Sequence, residues 1–230
     1  MKAILFDHGG TLDSNGIPWK ELFFPLYLEC GVALAQEKFD RAFYDADDNL
    51  PLRHALKGLG LTETVRLQVT DVLENLKTGS PSAAENITAR FVNGCRVYFN
   101  RNRPVLAELA KKYRLGVVSN NYGNLESMLE SEGLLKYFGV VADSAVVGRT
   151  KPDPEIFNYA LTRLEVSPEN ALMVGDNVRR DITGALAMNM RAALLWGDRT
   201  GRQTPPELGP QAVTLANLSE LPEKLSLAGF

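Results

Sequence analysis

"KAILFDHGGTLDS", residues 2–14, is the stretch that decides the fold. Its first five residues are a short, mostly apolar run that leads into Asp7, and Gly9 and Gly10 follow. An apolar run closed by glycine turn chemistry predicts a buried strand over residues 2–6. In a parallel sheet, ligands sit beyond the carboxyl ends of the strands. A carboxylate at that end is placed to meet one, and bare glycines let backbone amides come close to it.

Working outward, the texture from Pro18 to Asn100 is helical. "WKELFFPLYLECG", "AQEKFDRAFYDADDNL", "ETVRLQVTDVLENLK" and "SAAENITARFVNGCRVYF" each place apolar residues three and four apart, which predicts a lobe of about four helices. "KTGSPSAAEN" reads as a loop. After Arg103 strands alternate with amphipathic helices, the pattern of a parallel sheet wrapped by helices. "LGVVS", "GVVAD", "AVVG", "ALMVGD", "RAALLW" and "AVTL" read as strands or strand ends; "PVLAELAKKY", "GNLESMLESEGL", "PDPEIFNYALTRL", "VRRDITGALAMN" and "LSELPEKLSLA" read as helices. The stretch from Gly197 to Pro210 is a polar loop. The expected class is α/β, with a core of residues 1–15 and 101–230 and a helical insertion at 16–100.

The chain has 230 residues, 45% hydrophobic and 23% charged, enough for one sizeable core and an accessory lobe. A net charge of -3 with scattered basic residues argues against nucleic acid as a partner. Cys30 and Cys95 lie far apart without metal-ligand spacing, so they are read as ordinary buried thiols. The apolar start is broken by Asp7, too early for a signal peptide, and no segment has membrane-spanning length. A cytoplasmic protein with no membrane partner is expected.

Three of the predicted strands end on polar residues: the first on Asp7, the second on Ser119 with Asn120 and Asn121, the third on Asp176. Lys151 follows a Gly-Arg-Thr turn and precedes a helix. Asp7 and Asp176 are oxygen ligands of the kind Mg²⁺ takes, while a hydroxyl and an ammonium suit phosphate oxygens. Each signal alone has a plainer reading. Asp7 is a turn aspartate, Ser119 and Asn120 are turn formers, Lys151 is a surface lysine, and Asp181 is an ion-pair partner of Arg179 or Arg180.

"FDHGGTLDS", "VVSNN", "KPDPEIF" and "VGDNVRRDITGA" resemble, in order and approximate spacing, the four motifs of the haloacid dehalogenase superfamily. The resemblance spans a Rossmann-like core, and the helical insertion looks like that family's C1-type cap. It implies that Asp7 is a nucleophile that becomes aspartyl-phosphate, that Ser119 binds the phosphoryl group, and that Lys151 stabilises both. It implies Mg²⁺ as cofactor, held by Asp7, the Gly9 carbonyl and Asp176, with Asp181 holding metal-bound water or Lys151. Phosphate would be cradled by Gly9, Gly10, Ser119, Asn120 and Lys151. The implied activity is hydrolysis or transfer of a phosphoryl group from a small phosphorylated metabolite, by a monomer or homodimer.

The departure is Gly9, where phosphatases of the family carry a second Asp as general acid and base. General acid–base catalysis contributes about 10² to 10⁴-fold, roughly 3 to 5 kcal/mol of barrier, so slow turnover of ordinary phosphomonoesters is expected. His8 is expected on the opposite face of the strand end. Asp13 is close enough in sequence to swing towards the site. Lys20, Lys38, Lys57 and Lys77, and His54 beside Arg53, belong to the insertion and are read as surface groups. Trp19, Phe23, Phe24 and Tyr27 are read as its core face, and Tyr122 as a candidate cleft residue. The alternatives are a phosphonatase- or dehalogenase-like hydrolase and a non-catalytic regulatory protein that binds phosphate and Mg²⁺. In the dehalogenating members a Tyr stands at the Gly9 position and the Gly175-Asp176 pair is lacking.

Overall fold

The structure is a computed structural model that describes residues 1–78, 80–199 and 206–227. The first strand, β1, runs Ala3–Phe6 and is buried on both faces. Ala3 and Leu5 join one apolar cluster, Ile4 and Phe6 another, as the two-residue period of a strand requires. β1 pairs in parallel with β2 (Arg114–Ser119) and β4 (Ala171–Gly175). β3 (Val140–Asp143) lies beyond β2; β5 (Arg191–Leu195) and β6 (Ala212–Leu215) lie beyond β4. The strand order is β3-β2-β1-β4-β5-β6.

That order reverses at β1, which opens a crevice at the carboxyl ends of β1, β2 and β4. Phe6 stands opposite both Val117 and Val174, so Asp7 leaves the sheet beside the last residues of its two neighbours. The α/β, Rossmann-like class is therefore the observed one.

Four helices stand between β1 and β2: α1 (Trp19–Glu29), α2 (Gln36–Arg53), α3 (Leu61–Asn75) and α4 (Pro81–Leu109). Phe23 stacks on Phe91 with ring centroids 3.8 Å apart, and Phe39 packs on Tyr27 at 5.1 Å. This aromatic layer belongs to the same apolar cluster as Ile4 and Phe6, so helices and sheet share one core. Ser80 caps α4 by accepting from the Ala83 N–H, with Pro81 in the first turn.

α4 differs from expectation. The two helices anticipated on either side of residues 100–103 are one, and it passes through Pro104. The expected boundary at residues 100 and 101 thus falls inside a helix. A proline in a helix interior costs about 3 kcal/mol. The buried stripe Val92, Cys95, Phe99, Asn102, Leu106, Leu109 continues across it and outweighs that cost. Asn102 ties α4 to the loop after β1 by donating to the Leu12 carbonyl at 3.0 Å.

Beyond β2 come α5 (Leu125–Ser131), α6 (Ser144–Val147), α7 (Pro154–Arg163), α8 (Gly184–Ala187) and α9 (Leu221–Leu227). "AVVG", expected as a strand end, is instead helical. Asp143 accepts from the Ala145 N–H at 2.9 Å to start α6, and Gly148, at φ +76°, stops it. The predicted helix over 178–189 opens with a wider turn at Val178–Thr183 before α8. In the loop expected after Gly197, residues 200–205 lie outside the described residues, as do Gly79 of the earlier loop and Ala228 of the last helix. Cys30 and Cys95 are free thiols. Among the described residues no helix is long and apolar enough to cross a membrane.

Candidate active site

Asp7 sits where β1 ends, its N–H bonded to the Val174 carbonyl at 2.9 Å. Its Oδ1 accepts from Ser119 Oγ at 2.8 Å and from Lys151 Nζ at 2.6 Å. Among the described residues Oδ2 has no protein partner. Lys151 Nζ also donates to Asp181 Oδ1 at 2.7 Å, and Asp181 Oδ2 accepts from the Asn177 N–H at 2.9 Å. Burial works against the Lys151 ammonium, but the carboxylates of Asp181 and Asp7 outweigh it and raise its pKa. Asp181 is thus a partner of Lys151 and not of Arg179 or Arg180.

Asn120 fixes Lys151 from behind. Its Oδ1 accepts from the Lys151 N–H at 2.7 Å, and its Nδ2 donates to the Lys151 carbonyl at 3.3 Å. Both ends of this amide therefore support the lysine backbone. The Lys151–Pro152 peptide bond is cis.

Asp7, Asp176 and Asp181 each offer an oxygen within 4.8 Å of the others, all three residues buried. Burial, then the charges of Asp7 and Asp181, push the Asp176 carboxyl up to about 8. Burial pushes Asp181 up to about 6 against the opposing pull of Lys151. Arg199 donates to Asp176 Oδ2 at 3.1 Å and to the Asp176 carbonyl at 3.0 Å. Carboxylates crowded in this way, with oxygen as the only donor type, fit a small hard cation such as Mg²⁺. The Gly9 carbonyl, which the resemblance adds to this set, has no hydrogen-bond partner among the described residues, and Gly9 lines the same cavity as Asp7 and Asp176.

The loop after Asp7 sets its two glycines apart. Gly10, at φ +92°, carries the strict requirement, since a Cβ there would lie 2.5 Å from Asp176 Oδ1. Its N–H donates to Asp13 Oδ1 at 2.8 Å and so is not free to cradle phosphate, contrary to expectation. A Cβ on Gly9 would meet Trp19 Nε1 at 3.5 Å, an ordinary contact.

Asp13 does not swing into the site. It is fully buried, accepts from Trp19 Nε1 at 2.5 Å and from Gly10, and is a brace of the loop. Burial raises its carboxyl pKa, and the nearby His8 pulls against that rise. His8, at the cavity's margin, is a packed residue, with Nδ1 3.7 Å from Asp13 Oδ2 and its ring between Trp19 and Phe99.

Asp7, Gly9, Ser119, Asn120, Lys151 and Asp176 floor a cavity of about 430 Å³. Its opposite wall comes from the helical insertion: Trp19, Lys20, Glu21, Phe43, Tyr44, Asp47 and Asp48. Tyr122, Asn177 and Arg180 complete the rim. Lys38, Lys57, Lys77 and His54 do not line it; His54 pairs with Asp71 at 2.9 Å. Lys20 bonds to Asp40 at 3.0 Å, and this bond raises its pKa. Sequence reasoning missed Asp47 and Arg199; Arg180 is exposed at the rim. No local motif marks Asp47 or Arg199, because each reaches the site from an element outside the quoted motifs.

Residues 33–195 match the family of haloacid dehalogenase-like hydrolases. Phosphoserine phosphatase from Thermus thermophilus is 35% identical over 136 residues, 57% of this chain and 54% of that protein. Glyceraldehyde 3-phosphate phosphatase from Methanothermobacter thermautotrophicus is 32% identical over 231 residues, 98% of this chain and 100% of that one. The structure of 2-haloacid dehalogenase from Pseudomonas syringae pv. Tomato DC3000 aligns with a TM-score of 0.54 at 26% identity, covering 98% of each chain. The chain spans only about half the length of several of the curated relatives it matches, phosphoserine phosphatase among them.

Proposed function

Because the chain belongs to the haloacid dehalogenase-like hydrolases, we propose that it is a Mg²⁺-dependent phosphatase. Its substrates would be small phosphorylated metabolites, handled through an aspartyl-phosphate on Asp7. The observation that carries this reading is the Asp7 carboxylate at the floor of the cavity. One of its oxygens is held by Ser119 and Lys151, and the other is free of protein partners.

In this reading the free oxygen of Asp7 attacks phosphorus, and the ester oxygen leaves on the far side. Lys151 and Ser119 orient the carboxylate and present an ammonium and a hydroxyl to the phosphoryl oxygens. Asp181 and Asn120 keep the Lys151 side chain and backbone in place. Asp7, Asp176, Asp181 and the Gly9 carbonyl would hold Mg²⁺, which would neutralise charge on the phosphoryl group. The cavity wall made by α1 and α2 excludes water and reads the rest of the substrate.

The carboxylate cluster ranks phosphate above halide, since displacement of halide from carbon needs no cation beside the nucleophile. Lys20, held as an ammonium by Asp40, is a poor Schiff-base former, which disfavours the phosphonatase alternative.

The test is phosphate release from p-nitrophenyl phosphate and acetyl phosphate with and without Mg²⁺, with Asp7→Asn beside the native chain. Metal-dependent release that Asp7→Asn abolishes is expected, with phosphorylated Asp7 trapped by intact mass. Tight binding of phosphate and Mg²⁺ without release or a phosphorylated Asp7 would instead establish a regulatory binder.

A further inference from the structure

We propose that Asp47, on α2, is the general acid and base of the reaction, taking the place that Gly9 leaves bare; this rests on the phosphatase reading above. Asp47 lines the same cavity as Asp7 and Gly9 but arrives from the helical wall. Its Oδ1 accepts from Gln68 Nε2 at 2.8 Å and from the Tyr122 hydroxyl. Among the described residues its Oδ2 has no partner, and it is not one of the sealed orphan atoms of the interior. One oxygen is anchored and the other is open, the arrangement a proton carrier needs. Tyr122 stands three residues beyond Ser119, so the anchor also ties Asp47 to the loop that bears on the nucleophile.

The surroundings suit the task. Burial raises the Asp47 carboxyl pKa, the Tyr122 hydrogen bond pulls against that rise, the neighbouring Asp48 adds to it and Arg180 opposes it. Gln68, from α3, is the remaining polar group against it. A carboxyl raised in this way is a better acid–base catalyst near neutrality than an ordinary one.

The competitors in the cavity are less suited. Glu21 and Asp48 are exposed, and their carboxylates have no partner among the described residues to fix them. His8 is 2% exposed and packed between Trp19, Phe99 and Asp13.

In the first step Asp7 forms its bond to phosphorus, the phosphorus–oxygen ester bond breaks, and the Asp47 proton passes to the leaving oxygen to give an alcohol. In the second, water attacks the aspartyl-phosphate and its proton passes to the Asp47 carboxylate. The bond from phosphorus to Asp7 then breaks, releasing phosphate and restoring both aspartates.

The experiment compares the native chain, Asp47→Asn, Gln68→Met and His8→Gln on p-nitrophenyl phosphate, whose leaving group needs no proton, and on glycerol phosphate, whose leaving group does. Asp47→Asn is expected to slow glycerol phosphate about a hundredfold or more. With p-nitrophenyl phosphate it should give a burst of nitrophenol and accumulate phosphorylated Asp7. Gln68→Met, which removes one of the two hydrogen bonds that hold the same carboxylate, should show the same asymmetry in weaker form. Asp47→Asn that slows both substrates equally without phosphoenzyme, or leaves both unchanged, overturns the proposal while the phosphatase reading stands. So does the same asymmetry appearing in His8→Gln. A native chain that neither turns over nor phosphorylates Asp7 overturns both.

Discussion

On the sheet side of the cavity, Asp7, Ser119, Lys151, Asp176 and Asp181 are all buried, and the bonds that Ser119 donates to Asp7 and Lys151 donates to Asp7 and Asp181 are 2.6 to 2.8 Å long. On the helical side, Glu21, Tyr44 and Asp48 are exposed, and Lys20 and Asp47 are half-buried. The contrast separates two tasks. The buried network sets the charge and geometry that any phosphoryl group would meet, so a change to one member reaches the others. The exposed wall meets only the part of a substrate that differs from one compound to the next, and there changes stay local.

The largest expected effect tests how tight the sheet side is. Gly10→Ala must fit a Cβ 2.5 Å from Asp176 Oδ1 at φ +92°. It should lose roughly 3 kcal/mol from overpacking and left-handed strain, lowering Tm by roughly 6 to 12 °C. Its neighbour Gly9→Ala meets only an ordinary contact at 3.5 Å and should stay within about 0.5 kcal/mol of native. Equal melting of the two variants in a thermal scan would remove the contrast.

A smaller effect follows from the crowded carboxylates. In the folded chain Asp176 is pushed up to about 8 and Asp181 to about 6, against about 3.9 for an unfolded aspartate. The folded state therefore holds protons that the unfolded state releases. The stability this confers is complete below about pH 4 and is lost as pH rises through 6 and 8. In chelator, Tm should fall between about pH 5 and about pH 8.5, and Mg²⁺ should restore it most at the alkaline end. A gap between chelator and Mg²⁺ that does not widen with pH would show that the cluster does not hold the cation.

The smallest effect belongs to the helical side. Lys20→Met removes the ion pair with Asp40, 3.0 Å long and partly exposed, for less than about 1 kcal/mol. It should redistribute kcat/KM among phosphate esters that differ away from phosphorus and leave acetyl phosphate nearly unchanged. A uniform fall across all of them would place Lys20 with the buried network.

Much of the sheet was legible because its signals are local. "KAILF", "LGVVS" and "ALMVGD" declare themselves as strands by composition and by the turn chemistry at their ends. Asp7, Ser119 and Asp176 are marked simply by standing there. Two local readings failed where tertiary contacts prevailed. "AVVG" has strand composition, but the Asp143 cap starts a helical turn. Pro104 looks like a break, but the apolar stripe of α4 carries the helix through it.

By itself the sequence determined the α/β class, the helical insertion and the order of the motif residues, because periodicity and turn chemistry act between neighbours in the chain. Only the tertiary structure decided that Gly10 is the glycine the loop requires, that Asp13 braces that loop beneath Trp19, and that Asp47 and Arg180 share a cavity with Asp7. The reason is distance. Asp47 stands forty residues from Asp7 along the chain, and only the packing of α2 over the carboxyl ends of the strands brings the two to one cavity.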